Sequence, residues 1–288
     1  MWLMYSVLAA TSFGLRGVFY HWASKQSLNR NTLLLGTFFM GALISLACSL
    51  LLRQEWTASA TIGLLMGLFS SSANASMFKG FAVGKASLVA ILTAMTSVVV
   101  VVLAYAMWGE KLKLMQLIAF IVIVAGILLV RYSNDISLRN LQGAQWGILA
   151  MLLFALNDLS SKWSTIMDAD LFPTMFYMFV MGTCCFGGWW IRDRLSTVQT
   201  ELVLPKWGEW KTFVVGMAVG ITNALGTVFI VTAFDYGKAG LVSAVVALNV
   251  LIVLLYTRFV VKEKFTGIEL TGMVTAFVGV LFLRLFGG

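Results

Sequence analysis

The chain is dominated by a succession of apolar runs, each about twenty residues long, with very little between them. They fall at approximately 2–23, 32–52, 57–79, 86–108, 113–131, 142–163, 171–191, 211–233, 239–260 and 266–286. A helix needs roughly 20 apolar residues to cross the hydrocarbon core of a bilayer. Within that core every backbone polar group must be satisfied by the chain itself, which a helix does turn by turn. The ten runs therefore predict an all-α polytopic membrane protein with ten transmembrane helices. Composition agrees, with 60 % hydrophobic residues, 11 % charged residues and a mean hydropathy of +0.93. Water could not accommodate so much apolar surface. The longest polar stretch, 192–211, has the length of a loop, so residues 1–288 read as a single transmembrane domain in contact with the lipid bilayer. The first run has no positively charged segment before it, and 2–23 is expected to be a retained helix rather than a cleaved signal.

Several classes of function are poorly supplied. The three cysteines, Cys48, Cys184 and Cys185, all lie in apolar runs and read as small core residues. One histidine, His21, and no His/Cys cluster leave nothing to hold a metal, and no cofactor is expected. No HExxH, GxSxG or phosphate-binding loop is present, so the chain is not expected to be an enzyme. The net charge of +8 reflects basic residues at helix ends, where they reach lipid phosphates, and not a nucleic-acid partner.

The chain also repeats itself. A shift of 153 places Phe81, Ala86, Leu88 and Val89 on Phe234, Ala239, Leu241 and Val242. The same shift places Gly84 and Lys85 on Gly237 and Lys238, and Glu110 and Lys111 on Glu263 and Lys264. Gly63, Gly67, Gly126 and Arg131 fall on Gly216, Gly220, Gly279 and Arg284. A second shift, of 141, relates Phe13, Leu15 and Trp22 to Phe154, Leu156 and Trp163. The halves, 1–133 and 141–288, each hold five helices. Five is odd, so the second half enters the membrane from the opposite face. The expected architecture is two inverted five-helix repeats, an arrangement used for alternating access.

The residues that repeat also resemble a known group. Gly-Lys-Ala-Ser-Leu before the fourth helix, Gly-Glu-Lys-Leu after it and Ala-Gly-Ile-Leu-Leu in the fifth are similar to the drug/metabolite transporter superfamily, EamA type. The second half answers with Gly-Lys-Ala-Gly-Leu, Lys-Glu-Lys and Val-Gly-Val-Leu-Phe. The resemblance implies a ten-helix secondary transporter of a bacterial-type inner membrane, with both termini inside. Two departures stand out. Members commonly carry a proline early in the fourth and ninth helices, where this chain reads Ala94-Met95-Thr96-Ser97 and Ala247-Leu248-Asn249-Val250. They often carry Trp-Gly in the first helix, where this chain has Phe13-Gly14.

Ionisable groups at the centre of a span cost about 2.5–3.5 kcal/mol on insertion scales unless they pair or line a cavity. Arg16, two-thirds along the first helix between Gly14 and Gly17, is therefore the leading candidate for binding, against a structural tie to backbone carbonyls. Lys79 has no charged repeat partner, since it maps onto Thr232, and is a second candidate. Asp158 and Lys162 are spaced i, i+4 and are expected to pair, with proton uptake by Asp158 as the alternative. Asn157 occupies the position matching Arg16. Asn74 and Asn223 end small-to-polar stripes on the third and eighth helices, and Asn249 stands in the ninth. Trp163 is either an interfacial anchor or a ligand contact. Glu110, Lys111, Glu263 and Lys264 read as structural or gating turns.

The first helix carries no acid, whereas small multidrug exporters of the same superfamily hold cations with a carboxylate there. Arginine binds carboxylates and phosphates through two parallel hydrogen bonds. The expected substrate is a small polar metabolite, anionic or zwitterionic, such as an amino acid or a phosphorylated compound. Protons are the candidate coupling ion, and the transporter is expected as a monomer or homodimer. A channel or scramblase is the alternative. One signal opposes the resemblance: apart from Arg16, thirteen Lys and Arg fall in loops after odd-numbered helices and six elsewhere. The positive-inside rule would then place both termini outside.

Overall fold

The computed structural model describes residues 1–24, 26, 28–83, 86–131, 143–195, 207–262 and 266–286. Lys85, Glu263 and Lys264 lie outside the described residues. Among the described residues twelve α-helices follow one another. They are α1 (Trp2–Ser24), α2 (Arg30–Leu51), α3 (Ile62–Val83), α4 (Ala86–Ala94), α5 (Thr96–Trp108), α6 (Leu114–Arg131), α7 (Ala144–Ile166), α8 (Leu171–Leu195), α9 (Glu209–Tyr236), α10 (Ala239–Val246), α11 (Asn249–Tyr256) and α12 (Gly267–Phe286). No strand occurs among the described residues. Taking α4–α5 and α10–α11 as continuous runs, seven helices among the described residues are long and apolar enough to cross a membrane. The other long helices, α1, α3 and α7, fall short of that measure. They are the ones that carry Arg16, Asn74 and Lys79, and Asn157 and Asp158.

Local chemistry explains the helix ends. Asn29 caps α2 by accepting the Thr32 amide at 3.1 Å. Thr266 and Glu269 cap α12 reciprocally: the Glu269 carboxylate accepts the Thr266 amide at 2.8 Å, and the Thr266 hydroxyl accepts the Glu269 amide at 3.2 Å. The repeat-related Gln116 accepts the Lys113 amide at 3.1 Å at the start of α6. Gly109 ends α5 in a left-handed conformation, φ 66°, which favours glycine, and turns Glu110 back towards the second half. Inside the spans, hydroxyls bond the preceding turn: Ser6 to the Trp2 carbonyl at 2.9 Å, Ser45 to Gly41 at 2.8 Å and Thr227 to Asn223 at 2.9 Å. The buried hydroxyls of Thr32 and Ser49 in α2 and of Ser97 in α5 make no such bond.

The fourth and ninth runs are each interrupted. At Met95 and at Ala247–Leu248 the helix tightens for one turn. Met95 donates to Leu92 at 3.1 Å and Val98 to Met95 at 3.0 Å. Leu248 donates to Val245 at 3.1 Å and Leu251 to Leu248 at 2.9 Å. These are the same two three-residue bonds displaced by 153 positions. Neither break contains a proline. In the first, Thr93 and Thr96 turn their hydroxyls back onto the carbonyls of Ala90 (3.0 Å) and Thr93 (2.7 Å), which bends a helix. Among the described residues no hydroxyl of the second break makes a matching bond, since Val246 and Asn249 stand where the first has Thr93 and Thr96. After α11 the helix widens into a π turn over Thr257–Val261.

The helices pack chiefly across the repeat boundary. α2 packs on α8 and α6 on α12, each on its own repeat counterpart. α3 packs on α7 as α9 packs on α1, and α2 packs on α9 as α8 packs on α3. Glycines set these contacts. A methyl group at Gly63 would come within 2.0 Å of the Thr174 carbonyl oxygen, and one at Gly67 within 2.2 Å of that of Met178. Their counterparts Gly216 and Gly220 would meet the Leu33 and Thr37 carbonyls at 2.2 and 2.6 Å. Leu33 and Thr37 are related to Thr174 and Met178 by the shift of 141, so both repeat registers recur in one set of contacts. The buried core likewise draws on both halves: Met66, Val100 and Ala104 pack with Ala155, Phe234 and Val242.

Candidate functional site

Arg16 sits where α1, α9 and α11 meet. Its flanking glycines make room for α11, since methyl groups at Gly14 and Gly17 would collide with Ile252 at 2.6 Å and Val253 at 2.7 Å. Asn249 opens that same helix, at the second break. The Arg16 guanidinium donates to the Asn223 side-chain carbonyl on α9. It lies 4.5 Å from the centre of the Phe13 ring and 5.8 Å from that of Tyr20. Phe13 is itself set against Gly226, where a methyl group would come within 2.5 Å of it. Among the described residues Arg16 has no acidic partner. An arginine held by one neutral amide and aromatic faces keeps donors available for an anion.

A second cluster lies between α7 and α10. Asp158 accepts a hydrogen bond from the Ser243 hydroxyl, and a long one, 3.5 Å, from the Asn157 amide. Lys162 is not its partner, contrary to the i, i+4 spacing. The Lys162 ammonium instead lies 3.7 Å from Glu110 and donates to the carbonyls of Phe234 at 2.6 Å and Gly237 at 3.0 Å. Those carbonyls close the C-terminal end of α9, where unpaired oxygens and the helix dipole attract a cation.

The remaining sequence candidates are placed separately. Asn74 turns back to donate to the Ser70 carbonyl of its own helix at 2.8 Å. Lys79 is exposed, with its ammonium 4.0 Å above the centre of the Trp146 ring. Trp163 and its counterpart Trp22 are similarly exposed, at 38 % and 37 %. Among the candidates, then, Arg16 meets Asn223 and Asn157 meets Asp158.

Two polar features go beyond the sequence reading, which takes Glu110 as a structural or gating turn without its partners and gives Arg131 no role of its own. Glu110 reaches across the repeat boundary, accepting the Ala239 amide at 2.8 Å while holding Lys162. Lys238 completes that junction by donating to the Lys111 carbonyl and to Gln116 at 2.8 Å. The repeated Glu-Lys pair was the available signal. Arg131 turns inward to donate to the Ala90 carbonyl at 2.8 Å and the Thr93 hydroxyl at 3.3 Å, beside the first break. Its repeat counterpart Arg284 is exposed, so the match between them hid this role.

A helical chain with polar groups gathered on interior seams and paired helix breaks has the build of a multi-pass membrane transporter. The model of the EamA-like transporter family matches residues 1–132 and again residues 141–285, and the chain belongs to that family. A solved crystal structure is similar in fold, with a TM-score of 0.72 at 14 % identity over 97 % of this chain and 96 % of the other. No curated protein matches the chain significantly.

Proposed function

We propose that this protein is a secondary transporter that moves a small anionic or zwitterionic metabolite across a bacterial-type inner membrane by alternating access. In this reading it has ten spans in two inverted five-helix repeats, with α4–α5 and α10–α11 each forming one broken span. The observation that carries the substrate class is Arg16, deep within a span and partnered by the neutral Asn223. Like charge repels organic cations strongly where the dielectric is low. A carboxylate or phosphate meets the free donors instead. Asp158, with the Ser243 hydroxyl and the Asn157 amide as partners, is the group that would carry a coupling proton.

The test is a reconstituted liposome assay with wild type and Arg16→Gln. Wild type should take up an amino acid or phosphorylated metabolite, and the substitution should cut the rate at least about tenfold, the scale of one charge-assisted hydrogen bond. Strong transport of a quaternary ammonium compound by wild type, untouched by Arg16→Gln, would sink the proposal.

A further inference from the structure

Lys162 occupies a position from which it can serve two carboxylates. In this structure it holds Glu110, with the Phe234 and Gly237 carbonyls. These contacts join the α5–α6 turn of the first half to the α9–α10 junction of the second. Glu110 adds the Ala239 amide and Lys238 adds Gln116, so five polar contacts clamp this end. Asp158 lies one helical turn from Lys162 on the same face of α7, at the spacing where lysine and a carboxylate meet. It is tied by Ser243 to α10, the half-helix whose first amide Glu110 holds. Both acids therefore contact α10, and one lysine lies between them.

Few other ionisable groups compete near Asp158. The helices packed on α7 carry Lys79 on α3, Tyr105 on α5, and Glu209, Lys211, Asp235 and Tyr236 on α9, whereas α4 and α10 carry none. Of the clamp cations, Lys238 is committed to Gln116 and the Lys111 carbonyl.

We propose that Lys162 exchanges partners, holding Glu110 while Asp158 carries a proton and turning to Asp158 once it does not. This rests on the transporter reading above. Loss of the proton to water leaves a carboxylate one turn from the ammonium in a poorly screened setting. Lys162 then leaves Glu110, and the α9 carbonyls it abandons are hydrated as the clamped end opens. Ser243 keeps α10 attached to Asp158 during the exchange. Lys162 is thus a positioning residue, linking a proton to the opening of one end.

The experiment needs no substrate, so its outcome is independent of whether transport is found. Cys48, Cys184 and Cys185 are replaced by serine and a single reporter, Val242→Cys, is introduced. Val242 is fully buried on α10 beside the clamp. Maleimide labelling is expressed relative to the unfolded protein at each pH, which removes the thiol's own ionisation. Labelling should rise with pH, and Asp158→Asn should remove the rise and lower labelling about tenfold at high pH. Glu110→Gln should raise it about tenfold. In a Lys162→Met background, Asp158→Asn should change labelling less than about twofold, and Lys162→Arg should restore the response. Asp158→Asn labelling as fast as wild type, or a tenfold effect that persists without Lys162, overturns the proposal.

Discussion

At the scale of single residues, the Arg16–Asn223 contact makes substrate charge a matter of one neutral amide. Asn223→Asp is nearly isosteric and would supply Arg16 with its own carboxylate. The occupied guanidinium should then reject an external anion. Uptake of the anionic substrate by Asn223→Asp should fall at least about tenfold in liposomes. The fold should persist in a thermal unfolding scan, because a charge pair replaces a hydrogen bond at the same place. Arg16 and Asn223 were both visible in the sequence, one as a charge inside an apolar run and the other at the polar end of a glycine stripe. That they touch was not, since they stand 207 positions apart. Lys162 was misread for a related reason. Spacing along one helix offered it Asp158, but Glu110 and two carbonyls from other helices compete, and only tertiary packing ranks them. Ser243 gave no signal, because its repeat counterpart is Ala90 and serine is common in membrane helices.

Among the elements, the glycine seams separate what is tight from what is merely small. Gly63 lies against a backbone carbonyl that cannot rotate away, whereas nothing lies within 4 Å of a methyl group at Gly188. Gly63→Ala and Gly216→Ala should each lower stability by about 1–3 kcal/mol, the usual cost of overpacking. Gly188→Ala should leave the unfolding temperature almost unchanged. Equal effects at all three would mean that the seams are not close-packed. The seams were legible because glycines recur at matched positions. The helix breaks were less so. Proline is the usual mark of a broken span and is missing from both, and the threonine hydroxyls that bend the first have no equivalent in the second.

Across the whole molecule, the strongest expectation from sequence was the repeat, and the reciprocal contacts of Gly63 with Thr174 and Gly216 with Leu33 follow both registers. Inversion adds a definite requirement: the loops before α3 and α9 must face opposite sides. Single cysteines at Glu55 and Gly208, in the serine-substituted background, should be labelled by an impermeant maleimide from opposite faces of sealed vesicles. Labelling of both from one face would refute the inverted arrangement. The basic-residue count cannot orient the molecule by itself, because it mixes free loop charges with committed ones. Arg131 is spent on α4, Lys79 on Trp146 and Arg194 on Glu209. The packing across the repeat boundary also bears on how the protein is made. A ribosome delivers α1 to α6 first, and at that moment α2 lacks α8, α6 lacks α12 and Arg16 lacks Asn223. For the time needed to synthesise the rest, the newborn half rests in lipid with its glycine seams uncovered and an arginine unanswered. The insertion machinery or a neighbouring helix must shelter it until its counterpart arrives.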